Sequence, residues 1–267
     1  MPELAEVAWF ARQWEPGRGS RVTAVHCRDV ARVFRTTDTD GLRRGLSGRR
    51  LTRIRTHGKQ MLFTFEDAAL GVHLGMTGEL LVAPQAHIPG KHDHLVLRQS
   101  GISLVFRDPR MFGVLRFEPG PSDPAWWSAL PPEILSPAFT THLVESAARR
   151  RRASPLKAFL LDQAVFPGVG NWMADEILWR CRIHPADRVG SLDDKTIIIL
   201  RKEVRHVSRA ALRLLATEWS DPPPTWLFLH RWKDGGLCPR DGAALRREDV
   251  GGRTTAWCPE CQKPRHR

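Results

Sequence analysis

The chain has 267 residues, of which 42% are hydrophobic, enough for one large domain or two to three small ones with a real core. That apolar share argues against a disordered tail protein. The lack of any apolar run of about 18 residues removes a spanning helix, and the acids in residues 1–6 do not suit a secretory signal. A net charge of +12, from 41 Lys+Arg against 29 Asp+Glu, favours a polyanionic partner, most often nucleic acid, although arginine-rich usage in a GC-rich genome would give the same number. The expectation is a soluble, monomeric, cytoplasmic and nucleoid-associated protein with no membrane contact.

Val7, Phe10, Ala11 and Trp14 lie at helical spacing before Pro16-Gly17, predicting a short first helix over residues 1–14. Between residues 22 and 117 short apolar stretches such as 61–65, 94–97 and 103–106 alternate with Gly, Pro and Asp, the pattern of an antiparallel sandwich or barrel. Residues 119–137, rich in proline and serine around Trp126-Trp127, read as a linker that packs against something. Helical periodicity follows over 139–148, 156–163, 171–180 and 195–216, until Pro222-Pro223-Pro224 breaks the chain. The tail from Arg231 has too little apolar content to fold unaided but could fold around a metal.

Three constellations carry chemistry. In the tail, Cys238-Pro239-Arg240-Asp241 precedes Cys258-Pro259-Glu260-Cys261 by sixteen residues, a C-x₂-C repeat with Asp at one ligand position. Carboxylate oxygen ligates zinc, so a structural site of Cys238, Asp241, Cys258 and Cys261 is chemically allowed; a metal-free finger held by packing is the alternative. Between the two halves, Gly251-Gly252-Arg253 suggests a hairpin tip that presents Arg253 to a phosphate.

Residues 163–176 read as a helix end near Gln163, a Gly-rich turn and a new helix at about Asn171. The turn is either an anion cradle with Asn171 as cap and phosphate donor, or a plain packing corner. The third constellation is Pro2 itself. Loss of Met1 would leave a prolyl amine whose pKa of about 8, against about 10.4 for lysine, makes it a nucleophile near neutral pH, with Glu3 beside it to handle protons.

The ordered set Pro2-Glu3-Leu4 with Glu6, His57-Gly58-Lys59, His73-Leu74-Gly75-Met76-Thr77-Gly78, Asp108-Pro109-Arg110-Met111-Phe112-Gly113, Leu156-Lys157, Gly168-Val169-Gly170-Asn171 and the Arg253 hairpin resembles the formamidopyrimidine-DNA glycosylase and endonuclease VIII family of base-excision repair enzymes. The resemblance spans the whole chain. It implies that Pro2 attacks the sugar C1′ and displaces the damaged base, that Glu3 protonates the ring oxygen, and that Lys59 holds a flanking phosphate. His73, Asn171 and Arg253 would pinch the backbone around an extruded nucleotide. Met76, Arg110 and Phe112 would fill the vacated stack, with Phe112 as wedge; Lys157 would lie near the lesion pocket.

This chain departs from the family pattern at Ala5, where proline is usual, at Asp241, where cysteine is usual, and over residues 217–233, which do not resemble the Gly-rich loop that caps oxidised purines. The basic stretches 41–65 and 149–152 either line the nucleic acid or form solvated faces. The expected fold is α+β: an N-terminal helix plus antiparallel β-sandwich (1–120), a linker (121–136), a helix-two-turn-helix domain (137–230) and a zinc-finger-like β-hairpin (231–267), with a cleft for double-stranded DNA bearing a damaged base or abasic site. The expected activity is that of a glycosylase with abasic-site lyase activity. A catalytically inactive binder of damaged DNA with the same fold is the competing reading; an RNA- or ribosome-binding module would leave the N-terminal residues unexplained.

Overall fold

The structure, a computed structural model, describes residues 2–265, the side chain of Glu218 excepted, so the removal of Met1 concerns a residue outside that range. The chain divides into two compact units, one of Pro2 with Glu6–Leu130 and one of Glu3–Ala5 with Pro131–Arg267. Helix α1 (Leu4–Arg12) contributes residues to both.

The first unit is built on two four-stranded antiparallel sheets. One has the order β1 (Ala24–Cys27), β6 (Asp93–Arg98), β7 (Ile102–Arg107), β5 (Glu79–Pro84). The other has the order β2 (Leu51–His57), β3 (Gln60–Phe65), β4 (Ala68–His73), β8 (Val114–Pro119). Period-two side chains from both sheets meet in a core that includes Phe63, Leu95, Leu104 and Phe106, all fully buried, with the Trp14 ring 4.6 Å from that of Phe63. Burying each such side chain stabilises the fold by about 2 kcal/mol.

Inside the stretch read as strands lies a helix, α2 (Thr39–Leu46), capped by Asp38, whose carboxylate accepts from the Asp40 N–H at 3.0 Å. Its buried Leu42 and Leu46, one turn apart, face the same core, while arginines lie between and around them. The segment read as a linker carries a single-turn helix, α3 (Ala125–Ser128), which lays Trp126 and Trp127 on the second sheet.

The second unit is helical: α4 (Thr141–Arg150), α5 (Leu156–Leu160), α6 (Asn171–Cys181) and the long α7 (Asp194–Glu218) pack around Phe139, Phe159, Phe166, Met173, Ile177 and Val204. Helix α5 ends at Leu160, short of Gln163, because Gln163 serves the turn instead. Its amide donates to the carbonyls of Leu161 and Val169, both at 2.8 Å, and accepts from the Gly168 N–H at 3.0 Å. A hairpin of β9 (Arg246–Asp249) and β10 (Thr254–Trp257) completes the unit beside a small core of Trp179, Leu227, Cys238, Leu245 and Cys258. Among the described residues no helix is long and apolar enough to cross a membrane.

Candidate active site and nucleic-acid interface

The turn between α5 and α6 points its N–H groups at a carboxylate from the far end of the chain. Glu3, 2% exposed, accepts from Gly170 and Trp172 at 2.9 Å and from Met173 at 3.1 Å. These are the orphan donors of the first turn of α6, where charge-assisted bonds and the helix dipole favour a negative group. This corrects the sequence reading twice. The cradle holds the chain's own Glu3, and the cap position is Gly170, with Asn171 already inside the helix. Gly170 is small because it must be: a Cβ there would lie 2.3 Å from the Glu3 Cδ. Pro2, joined through its peptide bond to the Glu3 residue so held, is partly exposed.

In the first unit, Lys59 occupies the two-residue turn between β2 and β3, with Gly58 at φ 57° and His57 paired to Gln60. Although at a tip, Lys59 is only 8% exposed. Trp127 braces the hairpin, its ring edge-on to His57 at 5.9 Å and beneath the Arg55 guanidinium at 5.4 Å, a role the sequence did not disclose.

His73, at the end of β4, accepts the Gly75 N–H on Nδ1 at 3.1 Å, so the neutral ring carries its proton on Nε2. Burial, then the cations Lys59, Arg116 and Arg35, push its pKa down to about 4. The imidazole therefore presents a neutral donor.

Met76, Arg110 and Phe112 are brought together on two loops that one buried acid locks to each other. Asp108 accepts from Thr77 Oγ1 at 2.6 Å, from the Arg110 N–H at 3.2 Å and from the Gly113 N–H at 2.7 Å. Phe112 and Met76 are 42% and 43% exposed, unusual for apolar side chains on so rigid a support, and Arg110 stacks 4.7 Å above the Phe112 ring. Met111 between them adopts φ 54°, a left-handed strain that the Asp108 bonds hold in place. Sequence reading quoted Asp108 without assigning it this function.

Asn171 and Arg253 also come together in the second unit. The Asn171 Nδ2 donates to the Thr254 carbonyl at 2.9 Å, next to the exposed Arg253 on a loop that Gly251 (φ 64°) and Gly252 (φ 77°) turn. Lys157, expected to contact DNA, does not reach the surface. Its side chain is fully buried, and its ammonium binds the Asn171 carbonyl at 2.7 Å and Asp175 at 2.5 Å.

Of the basic stretch 41–65, Arg43, Arg49 and Arg55 engage Asp29, Asp67 and Asp123, and Arg151 of the second stretch engages Asp162. Residues 217–233 form an aromatic segment rather than an open loop. A 3₁₀ turn at Leu227–His230 sets Phe228 edge-on between Trp172 (5.0 Å) and Trp232 (5.2 Å), while Glu176 accepts the Phe228 N–H at 3.3 Å.

The ligand atoms of Cys238, Asp241, Cys258 and Cys261 lie within 4.8 Å of one another. Zinc–sulfur and zinc–oxygen bonds in a tetrahedron require S···S of about 3.8 Å and S···O of about 3.5 Å. Cys238 and Cys261 are 3.8 Å apart and Cys258 lies 3.5 Å from Asp241 Oδ2, so the donor set fits such an ion once that oxygen, now 2.9 Å from the Cys261 sulfur, moves outward by about half an ångström. The Trp179 indole N–H supports the Cys238 sulfur at 3.3 Å.

Two helices meeting across a double turn, here α5 and α6, place the second unit in the helix-two-turn-helix class. Residues 1–115 match the family model for the formamidopyrimidine-DNA glycosylase N-terminal domain, and residues 130–221 match that for its H2TH domain. Formamidopyrimidine-DNA glycosylases of Geobacter sulfurreducens and Methylococcus capsulatus are 36% and 37% identical, each over 98% of this chain and 100% of the relative. The Lactococcus lactis enzyme, solved non-covalently bound to DNA containing an abasic site, is 26% identical with a TM-score of 0.86, over 98% of this chain and 99% of that one. A mutant of it with Fapy-dG-containing DNA gives 28% and 0.87, over 98% and 100%. The chain belongs to the formamidopyrimidine-DNA glycosylase family.

Proposed function

We propose that the protein is a DNA glycosylase that removes oxidised or ring-opened bases and then nicks the strand at the resulting abasic site. The observation that carries this is the Glu3 carboxylate, fixed by three main-chain N–H groups directly after Pro2. A freed prolyl nitrogen would form a bond to C1′ as the C1′–base bond breaks, and Glu3 would take up the proton that this nitrogen loses and pass it to the sugar ring oxygen as the ring opens to the iminium. The resulting iminium acidifies the C2′ proton. Its loss expels the 3′ phosphate and a second elimination expels the 5′ phosphate.

Around this centre Lys59 would hold the flanking phosphate, and His73, Asn171 and Arg253 would grip the backbone on either side of the extruded nucleotide. Phe112 would wedge the duplex while Met76 and Arg110 fill the gap, at an extrusion cost of a few kcal/mol that is smallest at damaged pairs. A zinc ion on Cys238, Asp241, Cys258 and Cys261 would be structural, stiffening the hairpin that carries Arg253.

Borohydride reduction in the presence of abasic duplex tests the reading. A covalent adduct on the wild-type chain, abolished by Pro2→Gly, is the expected result. Tight binding without any adduct would support the inactive binder instead. Intact mass provides a second check, because a retained Met1 blocks the amine.

A further inference from the structure

Asp175 has no place in the chemistry above, yet its buried carboxylate accepts four hydrogen bonds. One of its oxygens accepts from Lys157 Nζ at 2.5 Å. The other accepts from Arg231 Nη2 at 2.6 Å and Nε at 3.0 Å, and from the Ala256 N–H of β10 at 3.0 Å. The side chains of Asp175 and Lys157 are fully buried, and that of Arg231 is 5% exposed. Three chain segments therefore end on one carboxylate: α5 through Lys157, the segment after the 3₁₀ turn through Arg231, and the hairpin through Ala256.

Two of these partners lead to proposed phosphate-gripping residues. Lys157 reaches back to the Asn171 carbonyl at 2.7 Å, and β10 runs directly into the Arg253 loop, with Asn171 bonded to Thr254 between them. The spacing between Asn171 and Arg253 is thus set at two points, the Asn171 amide at the surface and Asp175 underneath.

We infer that Asp175 is a positioning residue for DNA binding: with Lys157 and Arg231 it clamps Asn171 and the Arg253 hairpin at the distance of a single phosphodiester grip. This rests on the function proposed above. A shared phosphate grip has a signature that packing alone lacks, since neutralising one phosphate contributes about 0.9 to the slope of log affinity against log salt.

The test is binding of a duplex carrying a tetrahydrofuran abasic analogue, measured across a salt series. Asp175→Asn is expected to weaken binding ten- to a hundred-fold and to lower the salt slope by about one. Arg253→Ala should do the same, and the double variant should be no worse than either single one, because both remove one grip. Additive losses, or an Asp175→Asn protein that binds within threefold of wild type with an unchanged slope, overturn the clamp. Should Asp175→Asn not fold, Arg231→Gln breaks the same clamp from its other side and must show the same loss of slope; wild-type binding by that folded variant also overturns it. Failure of the wild-type chain to prefer the abasic duplex over an undamaged one would instead defeat the proposed function.

Discussion

The sharpest perturbation of the proposed centre is the addition of one methyl group, Gly170→Ala. Gly170 has φ −123° and ψ −157°, extended backbone that alanine adopts without strain, so the whole effect comes from collision. The new Cβ would stand 2.3 Å from Glu3 Cδ, 2.4 Å from Cγ and 2.5 Å from Oε1. Ordinary contacts begin near 3.5 Å, so the carboxylate must retreat by about an ångström and cannot keep all three N–H bonds. Charge-assisted hydrogen bonds contribute about 1.5–3 kcal/mol each, and losing two costs about 3–6 kcal/mol, shared between the fold and the transition state. Misplacement of a reacting group by this distance slows chemistry about 100-fold. Single-turnover excision at saturating DNA should fall by that factor, and the thermal midpoint should drop. Full-rate excision by a G170A protein with an unshifted midpoint would refute the argument that the Gly170 turn fixes Glu3.

Two buried groups should tilt stability with pH in opposite directions. His73 is held at about 4 in the folded chain against 6.5 when unfolded, so its contribution of about 3 kcal/mol is present above pH 6.5 and lost as pH falls towards 4. His73→Asn should flatten that acid limb in thermal melts and, because the ring is neutral, leave the salt slope of DNA binding intact; a reduced slope would show a charged ring. Burial raises Glu176 to about 7 against the pull of Arg180 and the Phe228 and Leu227 N–H groups, so its own contribution is fully present below pH 4.5 and declines by about 3 kcal/mol as pH rises through 7. Glu176→Gln should remove that decline between pH 5 and 8, and an unchanged melting profile would count against a buried, protonated Glu176. Elemental analysis should find about one zinc per chain, and chelation should lower the salt slope of DNA binding through the Arg253 hairpin; trace metal alone would leave the Cys238, Asp241, Cys258 and Cys261 cluster a metal-free knot.

Local pattern alone determined much of this protein. Short apolar stretches at 61–65 and 103–106 marked β3 and β7, 3.6-residue periodicity marked α6 and α7, and Gly251-Gly252 marked the turn below Arg253. Such signals are legible because they report on neighbours within a few positions of each other. The paired C-x₂-C-like spacings placed four donors that the fold then gathers within 4.8 Å. What the sequence could not convey are contacts between residues far apart along it. Glu3 meets Gly170 across 167 positions, so local sequence points to Asn171, the nearest polar residue, as the cap on α6, whereas a carboxylate from the other end of the chain fills that place. Lys157 carries a charge, and charge in a basic chain reads as surface. Only the tertiary arrangement brings Asp175 and Arg231 to its side of the core and makes burial of that ammonium affordable. Hydrogen bonds and ion pairs leave no period in a sequence, so the partner of a buried polar group is decided by the fold.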